Sequence, residues 1–254
     1  MKVAIIGAGA MGGAVASGLV LSKGLSAEQI TVSNPSEGKL SPLEKMGIKV
    51  TTSNTEAAVG ADVVIIAVKP WVLPSVADEL KDVLNGAHEV CVIAAGISSA
   101  EMAAFFPGSY ALNIAMPNTA MSQRRSMTFI VPVRGESRAA KELFGYLGSV
   151  MEIDERRLPG AMALASCGIA YALRYIRAAA EGGVELGFRA QEAQEIVVRT
   201  IEGAAALLSQ PGAHAEAEID KVTTPGGFTI RGLNAMEEAG FTNAVIKGLK
   251  ASVK

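Results

Sequence analysis

The sequence predicts an α/β domain with a mostly parallel, doubly wound sheet, followed by an all-α domain. Two observations predict this arrangement. Short apolar runs alternate with helical segments in the first part of the chain, as in sheets whose strands are joined by helices. From residue 154 onward this strand pattern stops, and residues that favour helices dominate. We therefore place a domain boundary there, which gives domains 1–153 and 154–254.

Five short apolar runs predict the strands of the parallel sheet. Most of them are continuously apolar, as expected for strands that are buried on both faces. They lie at residues 3–6, 30–33, 63–68, 89–94 and 110–115. Residues 127–133 and 149–153 are expected to extend the sheet.

Helices are predicted between these strands, at residues 11–23, 40–46, 55–59, 72–84, 99–105 and 137–147. Ser53 precedes Glu56 by three positions, and Ser98 precedes Glu101 by three. Both spacings are typical of a capping box at a helix start.

The C-terminal domain is predicted to be helical throughout, with glycine and proline between its helices. These breaks fall at residues 182–183, 210–212 and 225–227. Its helices are rich in alanine and glycine and would be poorly covered in isolation, so we expect them to form a homo-oligomer interface.

Composition excludes several classes of protein. The 254 residues carry a net charge of −2 without a long basic run, which argues against a nucleic-acid surface. No apolar segment is long enough for a membrane span. Cys91 and Cys167 are the only cysteines, which favours a reducing, cytoplasmic compartment. With only two histidines and no Cys/His spacing, the sequence predicts no metal site.

A glycine-rich string predicts a dinucleotide site. Gly7, Gly9 and Gly12, with Ala10 and Met11 between them, directly follow the first strand and open the first helix. In a Rossmann-like domain these glycines permit a tight turn, a close approach to the pyrophosphate and close helix–strand packing. The alternative is a glycine-rich turn without a ligand.

The end of the second strand predicts which dinucleotide binds. NAD-preferring sites usually carry an acidic residue there, whereas residues 32–36 contain none. Asn34, Ser36 and nearby Lys39 can hydrogen-bond a 2′-phosphate, which favours NADPH and leaves NADH possible. The alternative is ordinary Asn-Pro-Ser turn chemistry.

Two further segments follow predicted strands and are expected to line the cofactor, because ligands lie beyond the carboxyl ends of such strands. One consists of Val68, Lys69 and Pro70, and the other contains Ala95 and Gly96. Lys69 is equally well explained as a solvated surface lysine.

Several strings, taken together, resemble the pyrroline-5-carboxylate reductase family. They are Ala-Val-Lys-Pro at residues 67–70, Ala-Met-Pro-Asn-Thr at 115–119, Gly-Val-Glu-Leu-Gly at 183–187 and Thr-Thr-Pro-Gly-Gly-Phe-Thr at 223–229. The resemblance spans the whole chain, and the last string is the most specific. It implies the reduction of 1-pyrroline-5-carboxylate to L-proline by hydride transfer from NAD(P)H, the last step of proline biosynthesis. It also implies a C-terminal domain that dimerises, with dimers that assemble into rings in some members.

The resemblance also implies site residues. Thr229 polarises or protonates the imine, and the substrate is bound by Thr223, Thr224, Gly226, Gly227, Thr229 and Asn118. Pro225 suits the first turn of a helix, whose N-terminus would receive the substrate carboxylate. Met116, Pro117 and Asn118 resemble the loop beside the nicotinamide. The alternative for residues 225–227 is an ordinary helix start that binds no ligand.

Four positions depart from the family pattern. Ile114 stands where the family usually has Arg, and Arg177 stands where it has Glu, while Cys167 and Ile169 replace Ser and Pro. One hypothesis is that the Arg177 guanidinium binds a substrate carboxylate. These departures keep two alternatives open: a paralogue acting on another cyclic imine or on a keto or hydroxy acid, and a non-catalytic dinucleotide-binding sensor.

Overall fold

An eight-stranded sheet organises the N-terminal part of the protein. The computed structural model describes residues 1–93 and 96–253. The strands are β1 (Val3–Ile6), β2 (Ile30–Ser33), β3 (Lys49–Thr51), β4 (Val63–Ile66), β5 (Glu89–Val92), β6 (Ala111–Met116), β7 (Ser126–Arg134) and β8 (Gly148–Glu152). Their order is β3-β2-β1-β4-β5-β6-β7-β8. The β6–β7 pair is antiparallel and the other neighbouring pairs are parallel, which confirms the predicted mostly parallel sheet.

The strand β3 is the one that the sequence did not predict. It has three residues, of which Lys49 is exposed and Val50 and Thr51 are half-buried. An edge strand this short offers no continuous apolar run, which was the signal used for the others. The remaining strands lie within a few residues of their predicted bounds, although residue 94 lies outside the described residues.

Seven helices are described in this part of the chain: α1 (Ala10–Leu21), α2 (Glu37–Glu44), α3 (Asn54–Ala58), α4 (Leu73–Leu80), α5 (Ser99–Phe105), α6 (Arg138–Gly145) and α7 (Leu158–Ala161). The capping box predicted at α5 is confirmed. Ser98 Oγ accepts the Glu101 amide at 3.2 Å, and the Glu101 carboxylate accepts the Ser98 amide at 2.9 Å. At α3 only half of the box forms, because the Glu56 carboxylate bonds to the Thr51 hydroxyl instead.

The core consists of two apolar layers, one on each face of the sheet. Ile5 and Ile6 are neighbours in β1, yet they belong to different layers because successive side chains of a strand point to opposite faces. Ile5 lies in the layer that contains Leu19 of α1, and Ile6 lies in the layer that contains Leu80 of α4. This two-sided burial explains why β1 and β4 are apolar at every position.

The chain divides into two compact units, Met1–Ser166 and Cys167–Lys254. The boundary predicted after residue 153 stays a prediction. After a π-helical segment (Met162–Cys167), the second unit contains α8 (Gly168–Glu185), α9 (Ala190–Leu208), α10 (Ala215–Lys221), α11 (Phe228–Glu238) and α12 (Phe241–Ala251). Up to residue 253 it contains no strand, as the sequence predicts.

The second unit buries little of its surface within one chain. Ala193 is the only buried residue among those described between 167 and 253. It marks the close contact between α8 and α9, where a methyl group added to Gly183 would lie 2.9 Å from the Ala193 Cβ. Large apolar side chains such as Leu186 and Phe228 are more than four-fifths exposed, at 82% and 89%. In the described residues, no helix combines the length and the apolarity that crossing a membrane requires.

Candidate functional site

A cleft of about 760 Å³ opens at the carboxyl ends of the central strands. The first glycine-rich string lines it with Gly7, Gly9, Ala10 and Met11. It is also lined by Asn34, Pro35, Lys39, Thr52, Asn54, Ala67, Val68, Lys69, Pro70, Val72, Val76, Glu79, Ile93, Ala115, Met116, Pro117, Met162 and Ser166. Most of the predicted cofactor residues are therefore brought together.

The three glycines of the first string differ in whether backbone conformation or packing requires a glycine at their position. Gly7 has φ +103°, a conformation that side chains disfavour. A methyl group on Gly12 would lie 1.9 Å from the Gly7 carbonyl oxygen, so only glycine permits this packing. At Gly9, apart from the residue itself and its two chain neighbours, no atom of the described residues lies within 4 Å of such a methyl group. Packing among the described residues therefore does not require glycine at position 9, and the space beside it is open to a ligand.

The N-terminus of α1 is suited to a phosphate group. Gly9 caps the helix without a side-chain hydrogen bond, and the first turn contains no acidic residue. The amides of the first turn have no carbonyl acceptor within the helix, and the helix dipole adds partial positive charge. These features fit the pyrophosphate of a dinucleotide.

Asn34 is buried and ties the glycine-rich string to the loop after β2. Its Oδ1 accepts the Ala8 amide at 3.1 Å, and its Nδ2 donates to the Ser36 carbonyl at 3.1 Å. Two of its hydrogen-bonding groups are therefore engaged by the protein. Ser36 is exposed and is not part of the cleft lining, whereas Lys39 is.

The remaining predicted cofactor residues divide into two groups. Val68, Lys69, Pro70, Met116 and Pro117 line the cleft. In contrast, Gly12 lies beneath it, and Gly96 is exposed with φ +81° outside the lining. Ala95 lies outside the described residues.

Asn118 is buried, and its side chain forms two hydrogen bonds to the backbone. Its Oδ1 accepts the Ala120 amide at 3.1 Å, which caps a short 3-10 helix, Thr119–Gln123. Its Nδ2 donates to the Ala165 carbonyl at 3.1 Å. Asn118 is absent from the cleft lining, so its predicted contact with nicotinamide or substrate stays a prediction.

Four polar residues line the cleft that sequence reasoning did not assign to it, and one of them is Ser166, in the π-helical segment Met162–Cys167. Thr52 and Asn54 follow the unpredicted strand β3, and Glu79 lies near the end of α4. Recognition of β3 would have indicated Thr52 and Asn54, because loops at the carboxyl ends of parallel strands meet at one edge. No local signal indicates Glu79.

In the second unit, the predicted substrate residues surround one tight turn. The Gly227 amide donates to the Thr224 carbonyl at 2.9 Å, and Gly226 has φ +69°. Proline in the second position and a glycine with positive φ in the third are typical of a type II turn. The helix α11 begins only at Phe228. The prediction that Pro225 lies in the first helical turn is therefore wrong, because the following glycine leaves helical geometry.

The hydroxyl groups near this turn differ in their availability. Thr223 Oγ1 donates to the Ile219 carbonyl at 2.7 Å and so completes the end of α10. Thr224 and Thr229 are exposed. Thr229 lies in the first turn of α11. From the same helix, Arg231 Nη2 donates to the Gly226 carbonyl at 3.1 Å and helps to hold the turn.

Comparison with known proteins places the chain in a family. Residues 155–254 match a family model described as pyrroline-5-carboxylate reductase dimerisation. Residues 2–96 match a model described as NADP oxidoreductase, coenzyme F420-dependent. A pyrroline-5-carboxylate reductase 2 from Dictyostelium discoideum is 34% identical over all of this chain and 91% of its own length. The chain belongs to the pyrroline-5-carboxylate reductase family.

Two further similarities agree with this membership. A pyrroline-5-carboxylate reductase 1 from Dictyostelium discoideum is 38% identical over 98% of this chain, which spans only 48% of that relative. The solved structure of a pyrroline-5-carboxylate reductase from Coxiella burnetii superposes with a TM-score of 0.92 at 28% identity, and covers 99% of this chain and 95% of its own. The chain is thus an NAD(P)H-binding oxidoreductase of Rossmann-like fold that carries the family's dimerisation domain.

Two of the four departures from the reductase family pattern change a charge, and the structure shows their surroundings. Ile114 lies in β6 with no exposed surface and belongs to the apolar layer that contains Leu80. Arg177 is exposed on α8, where its Nε donates to Glu181 Oε1 at 3.0 Å. An apolar side chain at 114 suits its buried position, and the charge of Arg177 is already paired within its own helix.

Proposed function

We propose that this chain reduces 1-pyrroline-5-carboxylate to L-proline, the last step of proline biosynthesis, and that NADPH is its preferred hydride donor. The observation that carries this proposal is the cleft, in which the glycine-rich string, the free end of α1 and the Val68–Pro70 segment meet. Family membership identifies the reaction that such a dinucleotide cleft serves.

The cleft residues bind and orient the dinucleotide. The open space at Gly9 and the free amides of α1 suit its pyrophosphate. The absence of an acidic residue at the end of β2, together with Lys39, supports the preference for a 2′-phosphate. Nicotinamide supplies a hydride to the imine carbon when it is bound.

The turn before α11 is the substrate site that we propose. Thr224, Gly226 and Gly227 offer a hydroxyl and backbone amides to a small carboxylate at a helix N-terminus. The exposed Thr229 hydroxyl donates to the imine nitrogen, which needs a proton as the carbon gains the hydride. We assign Thr223 and Asn118 supporting roles, since their side chains already bond to the protein.

The assembly that we propose is a homodimer formed through the C-terminal helices. The many exposed apolar side chains of α8–α12 and the matched dimerisation domain support it. A ring of dimers would appear as a larger species in sedimentation. We also propose a cytoplasmic location, because Cys91 and Cys167 are free thiols.

The decisive test is cofactor oxidation by the purified protein. We expect fast oxidation of NADPH, and slower oxidation of NADH, with pyrroline-5-carboxylate and little with a six-membered cyclic imine. Selective turnover of a different imine or of a keto acid would instead support a divergent paralogue. Tight NADPH binding without turnover of any of these substrates would support a sensor.

A further inference from the structure

The dinucleotide cleft contains one acidic residue among its described lining residues, Glu79 of α4. The cleft's two cationic residues are Lys39, which follows β2, and Lys69, which follows β4. Among the salt bridges between described residues, none involves Glu79. Its negative charge therefore faces the cleft without a cation bonded to it.

Two hydrogen bonds connect Glu79 to the end of β2. Ser33 Oγ, on the last residue of β2, donates to Asn54 Oδ1 at 2.7 Å. Asn54 Nδ2 in turn donates to Glu79 Oε2 at 2.7 Å. The amide of Asn54 thus bridges the two, and it lines the cleft itself. The carboxylate is held one side chain away from the strand end that selects the dinucleotide.

The position of this charge has a direct consequence for cofactor choice. NAD-preferring sites use an acidic residue at the end of the second strand, which accepts from the ribose hydroxyls and repels a 2′-phosphate. This chain has Asn34 in that loop, but α4 supplies a carboxylate that also lines the cleft and is linked through Asn54 to Ser33, the last residue of β2.

We propose that Glu79 limits the preference of the cleft for NADPH over NADH. Its charge opposes the attraction between Lys39 and a 2′-phosphate, and it favours a ribose that carries a free hydroxyl. The preference for NADPH is consequently modest, and NADH remains a usable donor. This inference rests on the proposed function only in that the cleft binds a dinucleotide.

The variant Glu79→Gln isolates the charge. Glutamine keeps the length of the side chain and an oxygen that can accept from Asn54 Nδ2, so the bridge to Ser33 can persist. The matched control is Asp78→Asn, which removes the same charge one residue earlier on α4. Asp78 is exposed, pairs with Lys81 at 2.7 Å and does not line the cleft.

Equilibrium binding of NADP⁺ and NAD⁺ gives a readout that is independent of turnover. Calorimetry, or quenching of the single tryptophan Trp71 beside Pro70, measures both dissociation constants. We expect Glu79→Gln to tighten NADP⁺ about threefold to tenfold at low salt, with NAD⁺ unchanged or weaker. This increase in NADP⁺ affinity is expected to become smaller in about 1 M salt, where the screening length falls to about 3 Å. Asp78→Asn is expected to change the ratio of the two constants less than about twofold, because Asp78 already pairs with Lys81 and does not line the cleft.

Three outcomes would overturn the proposal. An unchanged NADP⁺ to NAD⁺ ratio in Glu79→Gln would show that the charge does not select the dinucleotide. Equal weakening of both dinucleotides would show that Glu79 only positions Asn54. An equal shift in Asp78→Asn would show a general effect of net charge. Failure of the unchanged protein to bind either dinucleotide would instead overturn the proposed function, and this inference with it.

Discussion

Gly12 packs against Gly7 so closely that a methyl group on Gly12 would lie 1.9 Å from the Gly7 carbonyl oxygen. The contact fastens the start of α1 to the end of β1, at the point where the chain reverses beneath the dinucleotide cleft. Packing therefore requires glycine at position 12. At Gly9, in contrast, a methyl group would meet no atom of the described residues beyond its chain neighbours. The two positions therefore predict different consequences of the same substitution.

Gly12→Ala is expected to destabilise the protein. The methyl group would overlap backbone atoms, which a side-chain rotation cannot relieve, and overpacking of this kind costs about 1–3 kcal/mol or more. Chemical denaturation measures the free energy of unfolding. Gly13→Ala is the matched control, since its nearest contact would be the Ala8 carbonyl oxygen at 4.0 Å. Equal stability of the two variants would contradict the packing explanation.

Gly9→Ala is expected to fold normally and to bind dinucleotide poorly. Gly9 has φ −71° and ψ −171°, which alanine adopts without strain. The methyl group would occupy the space through which a pyrophosphate approaches the backbone. We expect an unchanged melting temperature and a dissociation constant for NADP⁺ raised by about tenfold or more, roughly 1.4 kcal/mol. Undiminished binding would show that the phosphates lie elsewhere.

Thr229→Val is expected to lower kcat while the protein stays folded. Valine keeps the shape of threonine but removes the hydroxyl that we assign to the imine nitrogen. Loss of a proton donor in the transition state costs about 10²-fold to 10⁴-fold in rate. Steady-state assays with pyrroline-5-carboxylate measure kcat, and NADP⁺ binding is the control for an intact cleft. Thr229→Ser restores the hydroxyl, so a serine variant as slow as valine would argue against this role.

Ser98→Ala is expected to destabilise α5 by about 1 kcal/mol at neutral pH, because the Glu101 amide loses its cap. The effect is also expected to depend on pH. Hydrogen bonds from the Ser98 hydroxyl, and then from the Ser98 amide, lower the pKa of the Glu101 carboxyl from its ordinary value of 4.5. A lowered folded-state pKa contributes stability above the unfolded pKa, and this contribution is lost as the pH falls through the folded pKa.

Thermal melts of the two proteins between neutral pH and pH values below the ordinary pKa of 4.5 would measure this dependence. The difference in melting temperature between the unchanged protein and Ser98→Ala is expected to narrow on acidification. Ser99→Ala is a control at the next residue, since no hydrogen bond of its hydroxyl is found among the described residues. A difference in melting temperature that increased on acidification would contradict a lowered pKa of the Glu101 carboxyl in the folded protein.

Much of the fold follows from local patterns. The strands β1 and β2 have their predicted bounds. The run that forms β1 is apolar at every position, as expected for a strand that is buried on both faces of a sheet. The capping box of α5 was equally predictable from the sequence, since its hydrogen bonds join only Ser98 and Glu101, three positions apart. Patterns failed where a residue's conformation depends on its neighbours: β3 is too short to be distinguished, and Gly226 moves Pro225 out of the helix.

The candidate site shows the same division. The sequence by itself indicated the glycine-rich string, the segment Val68–Pro70 and residues 223–229 as candidate site residues, because each is a short string with distinctive backbone requirements. The turn that precedes α11 was recognised only in the structure. Only the tertiary structure decided that Glu79 meets Asn54, a residue 25 positions earlier, at the end of β2. That meeting depends on the strand order β3-β2-β1-β4, which sets loops from distant parts of the chain side by side. A local pattern carries no information about such a contact, and the charge that it brings into the cleft is the one that the end of β2 lacks.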